Sequence, residues 1–318
     1  MRVTWGMSMT NDKQRVNRRN VLATTGIALT GTVAGCTGGN GNGNGNGGNG
    51  NGNGNGGNGD PIQVGVLAAE DFAPSAAILR GAEHAVEQLN QNGGLLGREI
   101  ELNHRDTQVD PQTTRNAYQE LVVELDVPVT FGIMISEALL SVLDLMAQHQ
   151  SLLLNTGSAT PNSSRKVAEN YEQYKYYFRP GILSANQYSE VMVYFATYGQ
   201  ENWGWESAAV VAEDAAWSTA AFEAIQPLVE DSPLDGVNYQ LIGTDVEDFT
   251  PIFDEIEEND PDITVTLASY NAARMGVQWS RQERSFNLGG IANELETTGA
   301  YENLDGDCRY AGVYATTH

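Results

Sequence analysis

Residues 62–104 read IQVGVLAAEDFAPSAAILRGAEHAVEQLNQNGGLLGREIELNH, and this segment is the clearest indication of how the chain folds. Residues 62–67 form a short apolar run typical of a buried strand, and from 78 to 90 the apolar side chains recur at helical spacing. Gly93 and Gly94 end that helix. Residues 98–104 then alternate between apolar and polar side chains, as a strand does. Strand, helix and strand in this order predict one unit of a parallel α/β sheet.

The same alternation continues along the chain. Further strands are expected at 127–133, 152–154, 176–179, 208–212, 237–242, 263–268, 288–292 and 309–314. Further helices are expected at 110–125, 136–149, 186–198, 218–229, 250–257 and 272–282, with a long loop after residue 154. The sequence therefore predicts an α/β protein of two doubly wound parallel-sheet lobes joined by a hinge, a first lobe at 61–182 and a second at 183–318. A cleft between two such lobes, at the carboxyl ends of the strands, is a usual place for a ligand.

The N-terminal residues predict an export signal followed by a tether. Residues 17–36 read NRRNVLATTGIALTGTVAGC, in which thirteen weakly apolar residues follow a pair of arginines. Thirteen residues of helix reach only about 20 Å, too short to span a bilayer. Arg18 and Arg19 resemble a twin-arginine export motif, and residues 33–36 resemble a lipobox ending at Cys36, the predicted lipidation site. Residues 1–36 are thus read as a signal, and 37–60, almost entirely Gly and Asn, as a disordered linker.

Composition and charge exclude several classes of function. The chain has 41 Asp and Glu against 17 Lys and Arg, a net charge of −24, which makes nucleic acid a poor partner. This acid-rich, lysine-poor composition resembles that of proteins from extreme halophiles. Cys36 and Cys308 provide no disulfide framework, and the four histidines are too scattered for a metal site. The chain has no GxSxG, no P-loop lysine and no Cys/His arrangement, so we expect neither an enzyme nor a cofactor.

Several segments together resemble one family. These segments are 62–67, 80–102 with its NxxGGxxGR pattern, 110–122, 127–161, 178–187, 207–225 and 248–265. They resemble the substrate-binding proteins of ABC transporters of the branched-chain amino acid (Leu/Ile/Val) type, which have the type I periplasmic-binding-protein fold. The resemblance covers about residues 62–292.

The resemblance implies a ligand site in the cleft. In that family, the first-lobe loops after the third and fourth strands hold the ligand's carboxylate and ammonium, which here implies Ser136, Ser158, Ala159 and Thr160. Ser136 also begins a predicted helix, whose free N–H groups can hold an anion. The alternative is that Ser136 only caps this helix and that Ser158 and Thr160 only form turns.

The second lobe contributes four further candidates through the same resemblance. Asp214 and Trp217 follow its first strand, where the family places an aromatic residue that closes on the ligand, and Tyr270 follows its third. Glu294 lies near the position of an acid that can pair with an ammonium. The alternatives are that Trp217 packs on its own lobe and that Glu294 is a solvated charge.

The implied function is an extracytoplasmic, non-catalytic receptor, lipid-anchored at the cell surface, that captures an amino acid or related small polar solute and delivers it to ABC permease subunits. The alternatives are an extracellular sensor of the same fold and a non-functional fragment. The second arises because family members return their C-terminal elements to the first lobe, whereas this sequence ends at His318 and is expected to be truncated. Asn162 begins an N-glycosylation sequon, Asn-Ser-Ser, in the predicted long loop.

Overall fold

The structure of the protein is a computed structural model that describes residues 59–297, 299–309 and 311–313. The predicted signal residues Arg18 and Arg19, the lipidation residue Cys36 and nearly all of the Gly/Asn linker lie outside these residues. Within the described ranges, no helix is both long and apolar enough to cross a membrane.

The first lobe is a parallel five-stranded sheet in the order β2-β1-β3-β4-β5. Its strands are β1 Ile62–Ala68, β2 Ile100–Asp106, β3 Val129–Gly132, β4 Leu152–Asn155 and β5 Tyr177–Phe178. Its helices are α1 Ala73–Gln91, α2 Pro111–Gln119, which continues as a π-helical turn over Glu120–Glu124, α3 Ser136–His149, α4 Asn162–Glu169 and α5 Tyr171–Tyr174. Successive residues of β1 point to opposite faces. Val66 and Ala68 accordingly pack with α1, while Leu67 packs with α2 and α3.

The second lobe repeats this plan in the order β10-β9-β8-β6-β7, again with parallel strands. Its strands are β6 Ser207–Glu213, β7 Asp235–Ile242, β8 Ile263–Ala268, β9 Asn287–Ala292 and β10 Gly312–Val313. Its helices are α6 Ala185–Trp203, α7 Ser218–Glu230, α8 Thr250–Glu258, α9 Ala272–Arg281 and α10 Ala300–Asn303. One apolar core lies under α6 and α7 and another under α8 and α9. The predicted fold class, two parallel-sheet α/β lobes, is confirmed.

Two local predictions are wrong. The expected long loop after β4 contains α4 and α5, because Val167 and Tyr174 find apolar partners on the α3 side of the first sheet. The sequon residue Asn162 is therefore the first residue of a helix and not part of a loop. The last expected strand, at 309–314, is shorter: among its described residues only Gly312 and Val313 pair with β9, and Arg309 lies in a turn.

In each sheet, one strand carries a glycine at which a side chain would collide with the backbone of the neighbouring strand. Gly132, the last residue of β3, has a φ of 111°, and a Cβ there would lie 2.3 Å from the carbonyl oxygen of Leu67. Gly290 in β9 has a φ of 136°, and its Cβ would lie 2.3 Å from the carbonyl oxygen of Thr266. Only glycine fits such a contact.

Candidate ligand-binding site

A cavity of about 360 Å³ lies between the two lobes, at the carboxyl ends of the strands. The loops after β1, β3 and β4 form its first-lobe side, and those after β6, β8 and β9 form its second-lobe side. Parallel strands converge with their carboxyl ends at one edge of a sheet, so the two sheets present six loops to a single space.

On the first-lobe side, the N-terminus of α3 faces the cavity. Met134, Ile135 and Ser136 line it, and no side chain caps the helix, so the N–H groups of its first turn keep their capacity to hold an anion. The hydroxyl of Ser136 lies 2.9 Å from that of Ser158. A Cβ at Gly157 would lie 2.7 Å from the Cα of Met134, which shows how tightly the loops after β3 and β4 pack.

On the second-lobe side, aromatic and polar side chains face this helix end. Trp217 follows β6 and is 8% exposed, and Tyr270 follows β8. The ring of Tyr270 stacks with that of Phe72 from the first lobe, with 6.5 Å between centroids and 11° between planes. Tyr188 from α6 and Glu296 from the loop after β9 also line the cavity.

A buried carboxylate shapes the loop that carries Tyr270. Glu213, the last residue of β6, accepts hydrogen bonds from the backbone N–H groups of Ser269, Tyr270 and Asn271, with N–O distances of 2.8, 3.1 and 2.6 Å. Burial raises the pKa of the Glu213 carboxyl, although the three N–H donors favour the charged form. Glu213 therefore fixes the loop and, through it, the position of the Tyr270 ring.

The two lobes are joined across the cleft by a second carboxylate. Glu137, in the first turn of α3, accepts a hydrogen bond from the backbone N–H of Ala216 at 2.6 Å. Ala216 immediately precedes Trp217 in the second lobe. This bond connects the anion-accepting helix end of one lobe to the aromatic wall of the other.

Arg179 ties the first-lobe loop to the segment that crosses between the lobes. Its guanidinium donates to the carbonyl oxygens of Ser158 at 3.1 Å and Leu183 at 3.4 Å, and also to that of Thr160. It further donates to the hydroxyl of Ser163 at 3.0 Å. Arg179 thereby connects the crossing segment to the loop that lines the cavity.

The ionisable side chains that line the cavity are one carboxylate, two tyrosine hydroxyls and one guanidinium. Burial raises the pKa of the Glu296 carboxyl. Burial also raises the pKa of the Tyr270 hydroxyl above its usual value, and the charges of Glu137 and Glu213 raise it further, so this hydroxyl stays protonated at neutral pH. Arg80 of α1 lines the mouth of the cavity, is exposed and makes no ion pair with any residue that the structure describes.

Four of the eight candidates predicted for the cleft line this cavity: Ser136, Ala159, Trp217 and Tyr270. Ser158 is fully buried behind Ser136. Thr160 is also buried, and its side-chain oxygen accepts from the backbone N–H of Asn162 at 3.3 Å.

The remaining two candidates bond within the second lobe. Asp214 is exposed and accepts from the hydroxyl of Thr219 at 3.2 Å. Glu294 accepts from the backbone N–H of Ala273 at 3.0 Å, in the first turn of α9.

The sequence reasoning missed several groups at the cavity. Phe72, Tyr188 and Glu296 line it, and Glu137 and Glu213 support it. A carboxylate that ends the otherwise apolar run SAAVVAE was a usable signal for Glu213. In the residues that the structure describes, no group of three His, Cys, Asp or Glu side chains is placed to hold a metal ion.

Two parallel-sheet lobes with a cavity between the strand ends define a solute-binding fold. The chain belongs to the periplasmic binding protein family, whose sequence profile, described as "Periplasmic binding protein", matches residues 61–317. No curated protein sequence matches the chain.

Solved structures share the fold at low sequence identity. A putative branched-chain amino acid ABC transporter from Silicibacter pomeroyi is 18% identical, with a TM-score of 0.65 over 80% of this chain and 65% of that one. The substrate-binding protein LivJ from Streptococcus pneumoniae, in complex with isoleucine, is 16% identical, with a TM-score of 0.65 over 79% and 68%. A solute-binding protein from Rhodopseudomonas palustris BisB5, in complex with 3,4-dihydroxybenzoic acid, is 18% identical, with a TM-score of 0.62 over 75% and 65%. The chain thus spans about two thirds of the length of these proteins. These matches confirm the predicted similarity to branched-chain amino acid substrate-binding proteins.

Proposed function

We propose that the protein is the extracytoplasmic solute-binding component of an ABC importer, which captures an amino acid or related small polar solute between its lobes and delivers it to a permease. The observation that carries this proposal is the interlobe cavity, which has an uncapped helix N-terminus on one side and aromatic rings with a carboxylate on the other. A zwitterion needs a positive and a negative partner at opposite ends, and this cavity offers both.

The mechanism of capture follows from the same groups. A ligand carboxylate binds at the N-terminus of α3, beside the hydroxyl of Ser136, and the cationic end lies toward Glu296 and the rings. A ligand that contacts both lobes favours the closed arrangement by the difference between its affinities for the closed and open states. Binding and release require no covalent chemistry, so the proposed activity is not enzymatic.

A panel of solutes tests this proposal by thermal unfolding of the full chain in molar salt. A ligand at a hundred times its dissociation constant stabilises the fold by about 2.7 kcal/mol. We expect one class of amino acid or amide to raise Tm, and Ser136→Ala to weaken the effect while Ser164→Ala, on the exposed surface of α4, leaves it intact. Cooperative unfolding that no solute shifts would contradict a receptor function.

Export and anchoring are part of the proposal and need their own test. The paired arginines and Cys36 support twin-arginine export followed by lipidation. We expect Arg18→Lys together with Arg19→Lys to keep the protein inside the cell. The mature protein should begin at Cys36 and carry the added mass of a lipid there, and Cys36→Ala should lack this added mass. A mature N-terminal residue without added mass in the unmodified protein would exclude lipid attachment at Cys36.

A further inference from the structure

The end of the cavity that faces the second lobe is built mainly of aromatic rings. Phe72, Tyr188, Trp217 and Tyr270 all line the cavity, where the last three share one apolar core and the rings of Phe72 and Tyr270 lie nearly parallel across the cleft. The face of an aromatic ring carries negative charge and attracts cations, most strongly where water is excluded. Several aromatic rings around one space are an arrangement by which proteins recognise alkylated ammonium groups.

Two polar side chains at this end donate hydrogen bonds within their own loops, whereas the indole N–H of Trp217 is buried without a partner among the residues that the structure describes. The amide of Asn293 donates to the hydroxyl of Ser269 at 2.6 Å, and the hydroxyl of Thr297 donates to the carbonyl oxygen of Glu294 at 3.1 Å. Ala159 and Ile291 add only aliphatic surface. A primary ammonium carries three N–H donors, each of which needs an acceptor when it is buried, whereas a fully alkylated ammonium has none.

The charges around the rings favour a cation. Glu296 is the one acidic residue among the described residues that line the cavity, and it forms no ion pair there. Glu137 and Glu213 act electrostatically on the Tyr270 hydroxyl. Arg80, the opposing charge, is exposed at the mouth, where water screens it.

We propose that the solute carries an alkylated ammonium group, held among the rings of Phe72, Tyr188, Trp217 and Tyr270 with Glu296 as its counter-charge. The inference rests on the proposed solute-binding function and narrows the class of solute. Ser136, the N-terminus of α3 and Arg80 remain available for a carboxylate at the other end of the same molecule.

Four probes separate charge, alkylation and shape. Choline and 3,3-dimethylbutan-1-ol have nearly the same shape but differ in charge, trimethylglycine adds a carboxylate to the quaternary ammonium, and L-leucine carries a primary ammonium. Binding to the full chain is measured by calorimetry and by tryptophan fluorescence. We expect choline or trimethylglycine to bind at least about tenfold more tightly than either 3,3-dimethylbutan-1-ol or L-leucine, since a desolvated cation–π contact supplies about this factor.

Matched variants test whether the preference for the quaternary probes arises in the cavity. Glu296→Gln should weaken binding of the quaternary probes about tenfold or more because it removes the opposing charge, whereas Glu302→Gln, a change at an exposed acid on α10, should not alter binding. Tyr270→Leu should weaken the binding of the quaternary probes more than the binding of 3,3-dimethylbutan-1-ol.

If choline and its uncharged analogue bind equally, or if Glu296→Gln has no effect on binding, the inference is overturned. If L-leucine or another amino acid with a primary ammonium group binds and the quaternary probes do not, the inference fails while the proposed function stands. If the folded protein binds none of these four probes, the inference fails, and the solute panel in the thermal-unfolding test decides the proposed function separately.

Discussion

Asp262 joins the starts of the neighbouring strands β6 and β8 of the second sheet. One of its carboxylate oxygens accepts from the backbone N–H groups of Glu206 at 2.7 Å and Ser207 at 3.0 Å, and from the Ser207 hydroxyl at 3.1 Å. These donors hold the pKa of the Asp262 carboxyl below its usual value of 3.8. Because the pKa is lowered by folding, the resulting stabilisation is complete above that usual value and is lost as pH falls through the folded-state pKa.

We therefore expect Asp262→Ala to lower the free energy of unfolding by about 1 kcal/mol at pH 7, an amount reduced by the partial exposure of the carboxylate. The difference from the unmodified protein should become smaller as pH falls from 7 to about 3, toward the lowered folded-state pKa of Asp262. Unfolding by guanidinium at pH 7 and at pH 3 measures this difference in the free energy of unfolding. Glu258→Ala is the control, since Glu258 is exposed. A difference that is the same at pH 7 and pH 3 would mean that the carboxylate charge contributes nothing.

Only some of the individual residues of the candidate site could be predicted from the sequence. Trp217 and Tyr270 follow strands directly, so the topology brings them to the cavity. Glu296 and Glu137 give no such signal, because one acid among 41 cannot be told from its neighbours by spacing. Glu294 and Glu296 are two residues apart in one loop, and only the path of the backbone decides which of them lines the cavity.

The strands depend on glycines where their backbones approach. We expect Gly132→Ala and Gly290→Ala each to lower the free energy of unfolding by at least about 2 kcal/mol, because both have positive φ and a Cβ would overlap a neighbouring carbonyl oxygen. Gly81→Ala is the matched control: nothing lies within 4 Å of its added Cβ, and alanine favours helix α1 by up to about 1 kcal/mol. Urea unfolding distinguishes these outcomes. Equal stability of the Gly132→Ala and Gly81→Ala variants would contradict the close approach.

Most helices and strands were predictable because apolar periodicity coincides with burial. Helix α3 begins and ends where the pattern places it, and β8 has the expected bounds. The segment after β4 was not predictable, because α4 has only one buried residue, Ser163, whose hydroxyl donates to the carbonyl oxygen of Thr160. A helix that packs through a serine and a few contacts leaves no apolar period in the sequence.

The net charge of the whole molecule predicts a dependence on salt. At −24, repulsion among carboxylates opposes the compact state. Raising KCl from 0.1 to 1 M shortens the screening length from about 10 Å to about 3 Å. We expect Tm to rise by at least about 3 °C. Sucrose, which is excluded from the protein surface without screening charge, serves as the control. A Tm that is flat or falls over this range of KCl would show that repulsion is not limiting.

We expect closure of the lobes around the cavity to depend on the bond from Ala216 to Glu137, which at 2.6 Å is the shortest hydrogen bond that the structure describes between them. A hydrogen bond to a charged carboxylate contributes about 1.5–3 kcal/mol, so its loss should shift the ratio of open to closed molecules about tenfold or more. We expect Glu137→Ala to increase the radius of gyration of the ligand-free protein in small-angle X-ray scattering, and Glu137→Gln, which keeps an acceptor oxygen, to increase it less. Glu83→Ala, on the exposed face of α1, should not change it. Identical scattering from all three variants would mean that other contacts hold the lobes together and that Glu137 acts only within the site.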